Sequence, residues 1–248
     1  MMSNNVNEKF ILVTGGSGGI GEAIVRNFSA DYTVILHYHN SSEKAERIKS
    51  DIKKKGGKVY TIKGDLSFPE GCIAFFDLVN QITDRIDILV NNSGGVLQRH
   101  LIHEINWQLI QKYFELNTFS TIQITSLFIP LMEKGENPSI INISSGAIRL
   151  GSPGNTLYAA AKGAIDVFTR GAANELAPRI RVNSVAPGVI DTTFHNSTPE
   201  EIMKKLKSIT PLQRIGTPDE VAHAVRFLIE NTFITGETID LNGGLSMR

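Results

Sequence analysis

Short apolar runs alternate along the chain with longer stretches in which apolar residues recur at helical spacing. Seven runs read as strands, over residues 10–14, 33–38, 58–63, 87–91, 139–144, 181–186 and 237–241. Most are bounded by Gly, Asn or Ser, and several are rich in β-branched residues, as strands buried on both faces should be. Between them the periodicity predicts helices over residues 19–29, 42–55, 69–83, 104–132, 157–176 and 218–230. Strand and helix in regular alternation predict an α/β fold, a parallel sheet with right-handed crossovers. No linker, low-complexity stretch or internal repeat divides residues 1–248, which therefore read as a single doubly wound domain with helices on both faces. Such a sheet binds its ligand outside the carboxyl ends of its strands, where strand order reverses. The residues that end each run are thus the candidates for chemistry.

Composition narrows the function. Lys plus Arg and Asp plus Glu both total 25, so no net positive field favours nucleic acid or an anionic membrane. The one cysteine, Cys72, cannot form an intrachain disulfide, which points to a reducing compartment. The first five residues are polar and lack a signal-peptide core. The greasiest stretch, 118–131, is broken by Ser120, Thr121, Gln123, Thr125, Ser126 and Pro130, well short of the ~20 apolar residues of a membrane span. A cytoplasmic protein with no membrane partner is expected. No His, Cys, Asp or Glu grouping has metal-ligand spacing, so no metal is expected.

After the first run comes Thr14-Gly15-Gly16-Ser17-Gly18-Gly19-Ile20-Gly21, which opens the first helix. Glycines there allow a tight turn and let backbone N–H groups approach a pyrophosphate at a helix N-terminus. Three registers fit: TGxxxGxG through Gly15, Gly19 and Gly21; GxGxxG through Gly16, Gly18 and Gly21; and TGxxGxxG through Gly15, Gly18 and Gly21. The loop alone predicts a dinucleotide without naming an enzyme class. Asp65-Leu66 ends the third run, where an acid can accept from an adenine amino group or serve as a plain cap before Pro69. Asn91-Asn92-Ser93-Gly94 ends the fourth, where small polar residues let backbone lie along a cofactor or simply make a turn.

Tyr158 and Lys162, four apart in a helical stretch, fall on one face. A free phenol titrates near ~10, and a nearby ammonium stabilises the phenolate and should lower that value toward neutrality. Alone, this spacing is common on solvated helices. Thirteen residues before Tyr158 lies Ser145, just past a strand, where a hydroxyl can donate to a carbonyl oxygen as charge develops on it. Asn117 is a poor helix former inside a helical pattern; it can interrupt the helix and offer its amide to a water, or merely sit on a polar face.

Taken together, Thr14-Gly15, Gly19, Gly21, Asp65, Asn91-Asn92-Ser93-Gly94, Asn117, Ser145, Tyr158, Lys162 and Pro187-Gly188-Val189-Ile190-Asp191-Thr192 resemble, in order and spacing, the short-chain dehydrogenases/reductases. The likeness runs from Phe10 to Gly244 and implies a Rossmann-like fold, the TGxxxGxG register and an NAD(P)-dependent oxidoreductase of CH–OH and C=O groups. It also implies a catalytic tetrad. Tyr158 would exchange the proton, Ser145 would orient the substrate oxygen, Lys162 would hold the nicotinamide ribose and tune Tyr158, and Asn117 would keep a relay water. The cofactor residues it implies are Gly15, Ser17, Gly18, Gly19, Ile20, Gly21, Asp65, Leu66, Asn92, Ser93, Gly94, Tyr158, Lys162, Pro187, Gly188, Ile190 and Thr192, with a homotetramer as the usual assembly.

At the end of the second run, His37-Tyr38-His39-Asn40-Ser41-Ser42 has no acid to take a ribose 2′-hydroxyl. His39, Asn40 and Ser41 can instead donate to a 2′-phosphate, which favours NADP(H) over NAD(H), although Gly18 stands where many NADP-dependent relatives carry an arginine. His37 and His39 also fit as edge polar residues. The stretch 211–222, Pro-Leu-Gln-Arg-Ile-Gly-Thr-Pro-Asp-Glu-Val-Ala, is similar to bacterial 3-oxoacyl-[acyl-carrier-protein] reductases, which implies fatty acid biosynthesis and a 3-oxoacyl thioester substrate. The alternative is a dehydrogenase of a sterol, sugar or small secondary alcohol. Glu133-Lys134-Gly135-Glu136 lacks the basic character that would greet an acidic acyl carrier protein, which argues against that partner. Before residue 211, Phe194, Ile202, Met203 and Leu206 read as the apolar inner face of a lid, with Lys204, Lys205 and Lys207 as its solvated face.

Overall fold

The computed structural model describes residues 8–151, 153–192 and 198–247. Seven strands lie within one residue of the predicted runs: β1 (Phe10–Val13), β2 (Thr33–Tyr38), β3 (Val59–Lys63), β4 (Ile88–Asn91), β5 (Ser139–Ile143), β6 (Arg181–Pro187) and β7 (Thr238–Leu241). They form one parallel sheet in the order β3-β2-β1-β4-β5-β6-β7. Strand order runs outward both ways from the centre, so the crossovers diverge between β1 and β4 and open a crevice above their carboxyl ends.

The helices are α1 (Gly19–Phe28), α2 (Ser42–Lys54), α3 (Pro69–Asn80), α4 (Trp107–Phe114), α5 (Ser120–Met132), α6 (Ala147–Leu150), α7 (Thr156–Leu176), α8 (Glu200–Ile209) and α9 (Pro218–Glu230). Alternation along β1 sends Ile11 and Val13 into a core with α1, α2 and α9, and Phe10 and Leu12 into a second core with α3, α5 and α7. Both faces of β1 are therefore dry, which is why its four residues are all apolar. Each fully buried Ile, Leu or Phe contributes about 1.5–3 kcal/mol, and these two cores hold the crevice rigid from below.

Residues 104–132, expected as one helix, are broken. A short turn, Ile102–Glu104, precedes α4, and one wide π-type turn, Glu115–Phe119, separates α4 from α5. Asn117 sits in the middle of that turn and donates to the Tyr113 carbonyl at 3.1 Å, competing with the helix's own ladder. α8 supplies helical structure where the sequence suggested a lid. Phe194 and His195 lie outside the described residues. Among the described residues, no helix is long and apolar enough to cross a membrane.

Candidate active site

A cavity of about 940 Å³ opens at the carboxyl end of the sheet. Every residue expected to meet a cofactor lines it: Gly15, Ser17, Gly18, Gly19, Ile20, Gly21, His39, Asn40, Ser41, Asp65, Leu66, Asn92, Ser93, Gly94, Tyr158, Lys162, Pro187, Gly188, Ile190 and Thr192. Ser145 is on the wall as well, whereas Asn117 is fully buried behind it.

The glycine loop is stitched to the end of β4. The Thr14 hydroxyl accepts from the N–H groups of Asn92 and Ser93 at 2.9 and 3.0 Å, and the Asn92 amide donates to the carbonyls of Thr14 and Gly15. Gly15 has φ +62°, the left-handed region that favours glycine. A Cβ on Gly21 would stand 2.3 Å from the Gly15 carbonyl oxygen, so the turn closes only on a bare Cα. The first N–H groups of α1 have no side-chain cap at Gly18, which leaves them facing the cavity as an anion cradle. These features fit a dinucleotide pyrophosphate.

His37 is no edge residue. Its ring is buried, with Nδ1 accepting from the Gly15 N–H at 3.0 Å and Nε2 3.1 Å from the Gly64 carbonyl. That pairing requires the neutral tautomer with its proton on Nε2. The ring meets Phe75 edge to face at 4.9 Å, and burial drives the imidazole pKa down to about 4. His37 thus ties the glycine loop to the end of β3. Because its folded pKa lies below the ordinary 6.5, the stability it contributes is full above that value and is lost as pH falls from 6.5 toward 4. His37→Phe orphans a donor and an acceptor, at about 1–3 kcal/mol each. Urea denaturation should show that loss at pH 7 and a shallower acid dependence in the variant; identical pH profiles would contradict the assignment.

At the adenine end, Asp65 takes the Ser67 N–H and hydroxyl at 3.0 and 2.7 Å and lies 3.6 Å from His39. Burial pushes its carboxyl up, but the Ser67 hydrogen bonds and the nearby His39 outweigh burial and hold it below the usual carboxylate range.

Tyr158 and Lys162 lie on one face of α7, which is anchored beneath them by Thr118 and Ser144 hydroxyls donating to the Ala161 and Lys162 carbonyls. The Tyr158 phenol lies beside the Ser145 hydroxyl, whose oxygen accepts from the Ala147 N–H at 3.2 Å. Lys162 Nζ donates to the Ile143 carbonyl at 2.8 Å and is buried. Burial alone brings its pKa down to about 8. The expectation that an ammonium lowers the phenol is corrected: burial raises Tyr158, with only the Ser145 hydrogen bond opposing it. Asn117 spends both amide hydrogens, on the Gly95 and Tyr113 carbonyls, and accepts from the Gly95 N–H at 2.8 Å. It clamps the loop after β4, and a Cβ on Gly94 would fall 2.6 Å from its Oδ1 and 3.1 Å from Lys162 Nζ.

The other part of the wall escaped the motifs. Val96, Arg99, Leu150, Pro153 and Asn155 line it beside Tyr158, and α8 adds Ile202, Lys205, Leu206 and Ile209. Only the apolar spacing of α8 hinted at this surface.

A sheet of this order, with a glycine cradle at one end of its crevice and a Ser–Tyr–Lys group in it, defines a nucleotide-dependent oxidoreductase. The short chain dehydrogenase family matches residues 9–202, and the chain belongs to it. An uncharacterized oxidoreductase of Escherichia coli K12 is 36% identical over 94% of this chain and 98% of its own. A 3-oxoacyl-[acyl-carrier-protein] reductase of Aquifex aeolicus is 35% identical over 96% and 97%. A short-chain dehydrogenase/reductase structure from Serratia marcescens superposes with TM-score 0.90 at 31% identity, covering 98% of this chain and 99% of that one. The protein is an NAD(P)(H)-dependent oxidoreductase.

Proposed function

We propose that the protein is an NADPH-dependent carbonyl reductase of 3-oxoacyl thioester-type substrates. The observation that carries it is the Ser145–Tyr158 pair on the wall of the cavity whose other end is the glycine cradle. A phenol, protonated at neutral pH, can give its proton to a carbonyl oxygen beside it.

When bound, the nicotinamide supplies the hydride that reaches the carbonyl carbon. Tyr158 gives its proton to the carbonyl oxygen, and Ser145 donates a hydrogen bond to the same oxygen as charge grows on it. Lys162 would hold the nicotinamide ribose hydroxyls, and residues 187–192 would clasp the nicotinamide end. Asn117 positions the Gly94-Gly95 backbone, with both amide hydrogens given to the Gly95 and Tyr113 carbonyls. The α1 N-terminus would take the pyrophosphate. His39, Asn40 and Ser41, on the wall after β2, which itself ends without an acid although Asp65 of the next strand lies 3.6 Å from His39, favour a 2′-phosphate over a bare ribose. A carrier protein is not included in this reading, because Glu133 and Glu136 flank the entry to β5 and Lys134 is 3.6 Å from Asp84. A homotetramer is included, with the exposed Phe119, Ile122 and Val167 of the central helices as its apolar contact; light scattering tests it.

Absorbance at the reduced-nicotinamide band, followed with acetoacetyl thioester, is expected to show NADPH oxidation. The kcat/KM for NADPH should exceed that for NADH by about tenfold or more, the worth of one or two charge-assisted hydrogen bonds to a phosphate. A preference for NADH overturns the cofactor assignment. Oxidation of secondary alcohols with no reduction of 3-oxo compounds overturns the substrate class.

A further inference from the structure

The charges around the cavity are unevenly placed. Where β2 and β3 end, His39 stands against the Asp65 carboxylate. Around the loops beside Tyr158 and on α8, the lining carries two cations, Arg99 and Lys205, and no carboxylate among the described residues. Arg99 is fixed on the Tyr158 side of the cavity: its Cβ lies 3.3 Å from where a Cβ on Gly154 would be, and the neighbouring His100 N–H donates to the Gly154 carbonyl at 3.0 Å. Gly154 is four residues before Tyr158. Lys205 projects from α8 among Ile202, Leu206 and Ile209, all on the wall.

Arg99 also differs from its kind. Among the described residues every other arginine is engaged: Arg26, Arg47, Arg85, Arg149, Arg170, Arg214 and Arg226 by carboxylates, Arg179 and Arg181 by backbone carbonyls. Arg99 has no ion pair or side-chain hydrogen bond within the described chain, and Lys205, with Glu201 one turn before it on α8, makes no ion pair there, whereas Lys204 next to it pairs with Glu200 at 3.0 Å. A guanidinium presents a planar fork of donors suited to a phosphate or carboxylate. Two cations on one cavity wall, each without an ion pair among the described residues, gain from an anion that enters the cavity.

We propose that Arg99 and Lys205 form an anion-binding subsite at the substrate end of the cavity, so that the carbonyl compound this enzyme takes carries a phosphate or carboxylate joined to its carbonyl by an apolar or pantetheine-like segment. This rests on the carbonyl-reductase reading and narrows it. The two sources of negative charge are a phosphate on a thioester's carrier arm and a carboxylate on the substrate itself.

The test compares the wild type with Arg99→Gln, Lys205→Gln and the double variant on three substrates: acetoacetyl-CoA, which bears phosphates; the monoethyl ester of 3-oxoglutarate, which bears a carboxylate; and ethyl acetoacetate, which is neutral. The double variant is expected to lose about 10–100-fold in kcat/KM, through KM, on at least one anionic substrate, and less than about threefold on the neutral ester. At saturating NADPH, added salt should raise the KM of the anionic substrates and leave that of the neutral ester unchanged. Loss confined to the CoA thioester assigns the phosphate, and loss confined to the half-ester assigns the carboxylate. An equal loss on the neutral ester, no loss on either anion, or a matching rise in the KM for NADPH overturns the subsite. Calorimetric titration of both anions into NADP⁺-saturated enzyme reads the same subsite without turnover. If the wild type reduces none of the three, the reductase reading fails, and tighter binding to wild type than to the double variant still decides for the subsite; equal or absent binding decides against it.

Discussion

Tyr158→Phe is expected to lower turnover by roughly 10²–10⁴-fold, the usual worth of a positioned general acid, while NADP(H) affinity stays within about threefold of wild type. The variant deletes one oxygen from a partly buried ring and leaves α7 anchored through Thr118 and Ser144, which bond the helix backbone and not the phenol. The glycine loop is also untouched, because its hydrogen bonds run to Asn92, Thr14 and His37. Among the described residues the phenol loses its contact with Ser145, whose oxygen keeps the Ala147 N–H. Steady-state rates together with a fluorescence titration of the reduced cofactor separate the two effects. Retained turnover with intact binding would remove the proton-donor role from Tyr158; lost binding would mean the phenol is structural.

How much of this was legible in the chain depends on what each residue leans on. The strands were, because a run such as Phe10–Val13 buried on both faces can only be apolar, and its alternation follows from the pleat. The cavity wall at the carboxyl end of the sheet was, because residues at strand ends are placed by the sheet itself. The helix break at Asn117 was half legible: a poor helix former marked the spot, but the wide turn depends on Gly95, 22 residues away, reaching its amide. For His37 the edge reading stays open from the motif alone, and the strand's alternation closes it. His37 follows Ile35 on the same face of β2, and that face meets Phe75 of α3, so the ring had to be buried and hydrogen-bonded. The raised phenol was out of reach, because a helical spacing of four reports that two side chains share a face and says nothing of how dry that face is. Arg99 and Lys205 stayed hidden for a related reason. An unpaired cation can be recognised only when every acid near it has been found bonded elsewhere.

Lys162→Met is expected to cost at least about 100-fold in turnover and yet to alter stability in a direction that depends on pH. In the wild type the ammonium is buried, with the Ile143 carbonyl as its one partner among the described residues, and its pKa falls from the ordinary 10.5 to about 8. Below pH 8 both folded and unfolded chains carry the charge, but only the unfolded chain hydrates it, so burial costs the fold about 3 kcal/mol. Between pH 8 and 10.5 the folded chain sheds its proton first, the unfolded chain binds more protons, and wild-type stability rises with pH by that amount. Methionine has no proton to lose. Urea denaturation without cofactor should therefore show wild type gaining about 3 kcal/mol on the variant between pH 7 and 10.5. Parallel pH curves would show that the lysine is hydrated in solution and that its charge is not held in reserve. On the proposed function, the ribose hydroxyls of a bound nicotinamide nucleotide would offer this ammonium the oxygens it lacks. NADP⁺ should accordingly raise the unfolding midpoint of wild type more than that of the variant, the reverse of what a lysine kept for packing would give.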